Sequence, residues 1–369
     1  MSAPAYPDPA HRELVMESLP KVMFVEAVKG CPNPCAFCKL RKSKWTNISP
    51  ELLEKLEPAF RDLEVLQIHD EPLLADLPYF VDRSRKHDFV LHMATTGLLL
   101  TKKRADLLRK TRLSIYFSLH AATQRAYKRV MGQDLKRVTD NIRYLTSRGG
   151  EESDHLLSYI VSKETIDDID ELLQLARYVG VPAIRFMSLL PSVETLKGQP
   201  MTEDFTYRYF EQWNREVREK FMNRLPDIKR RAAEMGVEIR PGTMESAAQG
   251  SASLQENFNR ITRKVVGKKF LPLTKRSGDC IVPWMGQLIV HQNGEVDLCC
   301  FDRYVLGNLN DSSLEDIWNS KRMQDVRLEI MQGYLPKACG LCRGITMEEY
   351  PKNAFREERD ALPSEPVAA

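Results

Sequence analysis

Apolar residues in the first half of the chain come in short bursts, and amphipathic stretches of helical period separate them. The bursts "VMFVEAV" (22–28), "VLQIHD" (65–70), "FVLHMATTG" (89–97), "LSIYFSLH" (113–120), "HLLSYIVS" (155–162) and "AIRFMSLLP" (183–191) read as buried strands. Between them lie "SPELLEKLEPAF" (49–60), a helix with a serine cap, then "TKKRADLLRK", a helix over about 134–148, and "TIDDIDELLQLARYVG" (165–180), which ends at glycine. Strands separated by helices predict parallel βα units. Eight units would close a full barrel, and six suggest a partial one. A doubly wound sheet fits the periodicity equally well.

The pattern changes further on. Residues 202–236 read as helical and "VEIRP" as a short strand, whereas 242–279 are rich in Ser, Gly, Lys and Gln. In the last part, "QLIVHQNGEVDLCC" predicts a hairpin turning at Asn293-Gly294, followed by the serine-capped helix "SLEDIWNSKRMQDVRLEIMQG". The tail "REERDALPSEPVAA" reads as disordered. The expected division is an N-terminal extension (1–21), a βα body with terminal helices (22–240), a connection (241–279), a small hairpin-plus-helix domain (280–345) and a C-terminal tail (346–369). A net charge of +3 argues against a nucleic-acid or membrane partner. No apolar run approaches the length of a membrane span, and the N-terminus lacks the basic and apolar regions of a secretory signal, so a cytoplasmic protein is expected.

The eight cysteines change the picture most. Cys31, Cys35 and Cys38 fall together after the first strand; Cys280, Cys299, Cys300, Cys339 and Cys342 fall together near the end. In such a chain, clustered cysteines point to metal or redox chemistry rather than a disulfide framework. Three thiolates cannot complete a tetrahedral zinc site, and the spacing fits neither a zinc ribbon nor a ferredoxin run. The open alternatives are a zinc knuckle completed from a distance or incidental thiols.

The spacing Cys-x3-Cys-x2-Cys, with Phe37 before the last cysteine, resembles the signature of the radical S-adenosylmethionine (SAM) superfamily. The resemblance covers about 22–191 and implies a partial (β/α)6 TIM-like barrel. It also implies a [4Fe–4S] cluster on Cys31, Cys35 and Cys38 whose fourth iron chelates SAM. In that family, reductive cleavage of SAM yields a 5′-deoxyadenosyl radical, and a flavodoxin- or ferredoxin-type protein supplies the electron. "HDEP" stands where the family usually has Gly-Gly-Glu-Pro, so Glu71 and Pro72 match while His69 and Asp70 replace the glycines. Glu71 is then expected to orient the SAM ammonium group. Thr96 in "ATTG" and Ser118 in "FSLHAAT" match further SAM-contacting segments, and Arg129 stands near a position where the family often has arginine.

The second cysteine group resembles the SPASM/Twitch extension of many radical SAM enzymes. The resemblance implies one auxiliary [4Fe–4S] cluster on Cys280, Cys299, Cys339 and Cys342, with a four-cysteine zinc site as the rival. Cys300 is left over; it is a buried small residue, a substitute for Cys299, or a thiol that donates a hydrogen atom to a substrate radical. His69, Asp70, His120 and Arg185 are the candidates for proton transfer or substrate contact.

The function this implies is a radical SAM oxidoreductase. The substrate expected is a small hydroxylated metabolite such as a sugar or cyclitol, oxidised or rearranged. The alternative is a ribosomally made peptide. Only 30 residues precede Cys31, too few for a leader-binding domain, which favours the small molecule. A non-enzymatic electron carrier or sensor is the third reading.

Overall fold

The computed structural model describes residues 12–148, 153–190, 192–240, 242, 280, 282–299 and 303–332. The six apolar bursts all form strands: β1 (Val22–Val25), β2 (Val65–Ile68), β3 (Val90–Thr95), β4 (Leu113–Ser118), β5 (Ser153–Val161) and β6 (Ala183–Ser188). Each pairs in parallel with the next. "VEIRP" supplies β7 (Glu238–Arg240), parallel to β6.

The C-terminal hairpin joins the same sheet. Its first strand, β8 (Gly286–Val290), runs parallel to β1, and β9 (Glu295–Asp297) and β10 (Val305–Asn308) follow antiparallel. The ten strands therefore run in the order β7-β6-β5-β4-β3-β2-β1-β8-β9-β10. Among the described residues no pairing joins the two ends, so the sheet is mostly parallel and open.

Helices with side-chain caps connect the strands. Ser49 caps α1 (Pro50–Glu54), Asp76 caps α2 (Leu77–His87) and Thr101 caps α3 (Lys102–Leu108). Thr123 caps α4 (Gln124–Met131), which stops at left-handed Gly132, and Asp134 caps α5 (Leu135–Thr146). α6 (Ile169–Tyr178) follows a single 3-10 turn. Each cap supplies an acceptor for a backbone N–H that the first turn leaves without one.

The segment expected to be helical from 202 instead begins with a small antiparallel pair, Gln199–Thr202 with Phe205–Tyr207. Phe205 and Tyr207 are buried there, and the long helix α7 starts only at Arg215, capped by Asn214, and runs to Glu234. The single helix expected near the end is two, α8 (Leu314–Trp318) and α9 (Lys321–Met331). The break falls where Ser320 accepts from the Met323 N–H and restarts the helix.

The two faces of the sheet differ. Met23, Val25, Leu66, Ile68, Leu91, Met93, Ile115, Phe117, Leu157, Tyr159, Ile184 and Phe186 are all at most 3% exposed, and they make the core. The alternate positions Phe24, Gln67, His69, His92, Tyr116, Ser118, Arg185 and Met187 are half-buried. Side chains alternate across a strand, so this second face is an open, largely polar lumen.

The N-terminal segment is tied to the last helices. Arg327 is 0% exposed, and its guanidinium donates to the Pro283 carbonyl (2.8 Å), the Leu14 carbonyl (2.7 Å) and Asn319 Oδ1 (3.1 Å). It lies 4.5 Å from the Trp318 ring centroid. The indole N–H of Trp318 donates to the Ser18 carbonyl (3.0 Å), and that of Trp284 to the Glu13 carbonyl (2.9 Å).

Candidate functional site

The first cysteine triplet lies in a loop that leaves β1 at the C-terminal edge of the parallel strands. A short antiparallel pair, Val28–Lys29 with Thr46–Asn47, pinches the loop at its base. Gly30 closes it with φ of 110°; a Cβ there would meet the Lys44 carbonyl oxygen at 2.1 Å, so only glycine fits. Inside the loop the Cys31 N–H donates to Ser43 Oγ (2.9 Å), and the Lys42 N–H donates to the Asn33 carbonyl (3.0 Å). The Ala36 N–H reaches the carbonyl of Val130 on α4 (2.8 Å).

Cys35 is buried, and Cys31 and Cys38 are half-buried. Burial pushes the Cys31 thiol up to about 11, and Cys38, Glu71 and Asp70 add to the effect. Burial pushes Cys35 higher still. Three thiolates this close repel one another, so the ionised set needs a cationic centre among them. Among the described residues, no three His, Cys, Asp or Glu side chains are arranged to hold a single ion. A cubane cluster does not require that convergence, because each thiolate binds its own iron. The donor set therefore fits a three-cysteine [4Fe–4S] cluster.

The "HDEP" turn after β2 braces this loop. Asp70 has φ of 62°, a left-handed conformation that glycine adopts freely and aspartate tolerates. Its carboxylate accepts the Gly30 N–H (3.0 Å). Burial raises its pKa. Glu71 is 2% exposed. Its Oε1 accepts from Thr95 Oγ1 (2.6 Å) and its Oε2 from Asn33 Nδ2 (2.9 Å). Asn33 also donates to Thr96 Oγ1 (3.2 Å) and accepts from Gln133 Nε2 (2.9 Å). Burial raises the pKa of Glu71, while these donors oppose the rise. The carboxylate thus fastens the cysteine loop to β3, and Pro72 opens the buried 3-10 turn that aims it.

The remaining candidates fall in different places. Thr96 is held within the Asn33 network. Ser118 is half-buried at the end of β4, in register with Ser158. His120 is 6% exposed and accepts the Ile160 N–H at Nδ1 (3.1 Å). Burial pushes its pKa down to about 3, so it is neutral, and its ring meets Phe37 edge-on at 5.1 Å. Phe37 also faces Tyr207 at 6.3 Å, which makes an aromatic wall beside the loop. Arg129 is paired with Glu164 (2.9 Å) and lies over Phe205 (3.9 Å). His69, at the end of β2, packs on Phe24 (5.2 Å), and burial lowers its pKa. Arg185 lies deeper, three residues into β6.

With this arrangement in place, the comparison with known families is decisive. The profile of the radical SAM superfamily matches residues 25–176, and that of the SPASM iron–sulfur cluster-binding domain matches residues 280–343. The chain belongs to the radical SAM superfamily. Membership with a SPASM domain brings a SAM-binding [4Fe–4S] cluster and an auxiliary iron–sulfur cluster. The fold is similar to that of Streptococcus suis SuiB bound to S-adenosylmethionine, with a TM-score of 0.57 and 14% identity over 84% of this chain and 68% of that one. SuiB bound to precursor peptide SuiA gives 0.55 and 14% identity over 84% and 66%. Native anSMEcpe with bound AdoMet and Cp18Cys peptide gives 0.55 and 16% identity over 88% and 89%. No curated protein matches the chain.

In the SPASM region Cys280 precedes the short helix Val282–Met285 that leads into β8, and Cys299 follows β9 by two residues; both are half-buried. Cys300, Cys339 and Cys342 lie outside the described residues. A link between the two cysteine groups escaped the sequence reading. His291, just after β8, has Nε2 2.7 Å from Asp297 Oδ2 and Nδ1 3.5 Å from Glu26 Oε2. Glu26 follows β1 toward the radical SAM loop, and Asp297 ends β9 two residues before Cys299. Hydrogen bonds to Asp297 and then Glu26 push the imidazole up to about 9. Asn33 and Gln133 were missed as well. An asparagine between two cysteine-flanking prolines gave the one local hint, and Gln133 gave none.

Among the described residues no helix is long and apolar enough to cross a membrane.

Proposed function

We propose that this radical SAM enzyme oxidises a residue of a peptide. The observation that carries the reading is the fold likeness, over 84–88% of the chain, to SuiB, solved with SAM and separately with a precursor peptide, and to anSMEcpe, solved with AdoMet and a peptide together. The expected sugar or cyclitol substrate rested on the short segment before Cys31, and nothing in these likenesses supports it. The electron-carrier reading falls with membership in an enzyme superfamily that uses the open iron.

When bound, the two clusters and SAM supply the one-electron chemistry that removes a hydrogen atom and then an electron from the substrate. Cys31, Cys35 and Cys38 would hold the first cluster. Cys280, Cys299, Cys339 and Cys342 would hold a single auxiliary cluster. Glu71, through Asn33, fixes the loop on which the first cluster sits. Ser118 presents a hydroxyl to SAM at the strand edge, and Phe37 excludes water beside the loop. His69 is the proton acceptor in this reading. Burial keeps its imidazole neutral, and it stands at a strand end on the open face, whereas His120 already uses Nδ1 as an acceptor.

The test uses anaerobically reconstituted protein with SAM, dithionite and a library of short synthetic peptides. The expected result is 5′-deoxyadenosine together with a peptide lighter by two hydrogen atoms. His69→Gln should retain SAM cleavage and lose that product. Consumption of a cyclitol or sugar with the peptide untouched would overturn the reading.

A further inference from the structure

Arg185 projects from β6 onto the open face of the sheet. It is in register with Ser158 on β5 and Arg240 on β7. Its guanidinium carbon lies 4.5 Å from the Tyr116 ring centroid. The Tyr116 ring meets His92 edge-on at 4.4 Å, and His92 Nδ1 lies 2.9 Å from Ser114 Oγ. Gly242 passes over the stem of Arg185; a Cβ there would come within 2.9 Å of Arg185 Cγ and 2.1 Å of the Phe186 carbonyl oxygen. The stem is held from above and the head rests on an aromatic face.

Among the described residues the head has no counter-ion. Arg185 Nε is buried with no hydrogen-bond partner. Among the described residues no carboxylate pairs with Arg185. Asp154, the acid that shares this face, is bound to Arg240 at 2.8 Å, and Glu238 also holds Arg240, at 2.9 Å. A half-buried guanidinium stays charged, and without acceptors it carries an uncompensated desolvation cost. Such a group is stable only if the surrounding fold tolerates it, and it gains strongly from an incoming anion. His92 does not compete. Burial, with Arg185 beside it, pushes its pKa down to about 4, so the neighbouring ring is neutral.

We infer that this part of the lumen is a binding subsite for one carboxylate of the substrate. The planar guanidinium edge matches the two oxygens of a carboxylate in parallel N–H···O bonds. The neighbouring Arg240 is already paired with Asp154 and His92 is neutral, so the one remaining cation balances one negative charge, which suits a carboxylate better than a doubly charged phosphate. The inference rests on the reading that substrate enters this lumen. If the substrate is a peptide, the group is an acidic side chain or the C-terminus.

The test compares N-acetylglycine, N-acetylglycinamide and inorganic phosphate as probes of the reconstituted protein with SAM, by calorimetry and thermal shift. N-acetylglycine should bind saturably, and the amide should bind at least about tenfold more weakly, as expected for losing a charged pair. Arg185→Met should lose the carboxylate preference and Arg185→Lys should keep part of it, with iron content and cluster absorbance checking the fold. Equal binding by Arg185→Met, tighter binding of phosphate, or no binding by the native protein would overturn the subsite. Peptide turnover by Arg185→Met at unchanged KM would overturn it too, and would leave the peptide reading standing. N-acetylglycine binding that depends on Arg185, without peptide turnover, would keep the subsite and sink the peptide reading.

Discussion

Two regions at the same sheet treat their polar groups in opposite ways. Around the cysteine loop, both oxygens of Glu71, both ends of the Asn33 amide and the hydroxyls of Thr95 and Thr96 are bonded to one another. At the margin of that network, Gln133 Oε1 and the buried Tyr127 hydroxyl have no partner among the described residues. In the lumen, Arg185 has an aromatic ring and, among the described residues, no acceptor. Arg327 sharpens the contrast. It too stacks on a ring at 4.5 Å and is buried, but two carbonyls and Asn319 receive its protons, leaving one nitrogen, Nη2, without a partner. The loop and the Arg327 clamp are built to hold their own chain. The lumen is built to receive something else, and pre-organised holding beside unsatisfied receiving is the arrangement that positions a reaction.

The contrast breaks most completely at the ligands. Replacing Cys31, Cys35 and Cys38 together by alanine should abolish 5′-deoxyadenosine formation and leave only the iron held by the second cysteine group, read by iron analysis and product assay. Retained SAM cleavage would show that the loop does not do what its donor set implies.

Next in size is Glu71→Gln. The amide would set an N–H donor against Thr95 or Asn33, both of which donate now. The loss should be about 2–4 kcal/mol, seen as a lowered Tm, with weaker SAM binding because the loop is no longer fixed. A melting curve matching that of the native protein would mean the network is ornamental.

His291 extends the held side toward the C-terminal hairpin. Its pKa is raised in the folded state, so its contribution is complete below its unfolded value near 6.5 and is lost as pH rises through about 9. After discounting for solvent screening this is about 1 kcal/mol. The Tm of native protein should fall between pH 8 and 10 relative to His291→Gln; parallel curves would remove the link.

The smallest stability effect belongs to the receiving side. Arg185→Met should change stability by no more than about 1 kcal/mol, or raise it, because the uncompensated charge disappears. A loss as large as that of Glu71→Gln would mean that Arg185 holds the fold rather than a ligand.

The first six strands were legible because each carries its own apolar alternation and its own flanking turn signals. The cysteine loop was legible because ligand spacing is local. β8 was legible as half of a hairpin through Asn293-Gly294, but its parallel pairing with β1 was not, since two strands so distant in sequence leave no joint pattern in either. Likewise, "HDEP" showed an acid at the family position but not that Asn33 occupies one of its oxygens. Asp70 looked like a spare acid until its left-handed backbone and its bond to Gly30 explained why glycine commonly stands there. Arg185 was legible only as a candidate for substrate contact, and its place three residues into β6 came from the register.

The pairing of β1 with β8 also sets a clock. β1 leaves the ribosome long before its partner, so one of its edges stays unpaired until residues 286–290 have been made. Until then the strand that anchors the cysteine loop is a sheet edge, open to pairing with other chains. The ties from Leu14 and Ser18 to Arg327 and Trp318 close only later still. Maturation of the loop therefore has two stages: a half-framed state on β1 and β2 during synthesis, and a framed one after release. Iron–sulfur assembly before release would meet the first state, and truncated chains ending before β8 should aggregate rather than accumulate as a smaller folded unit.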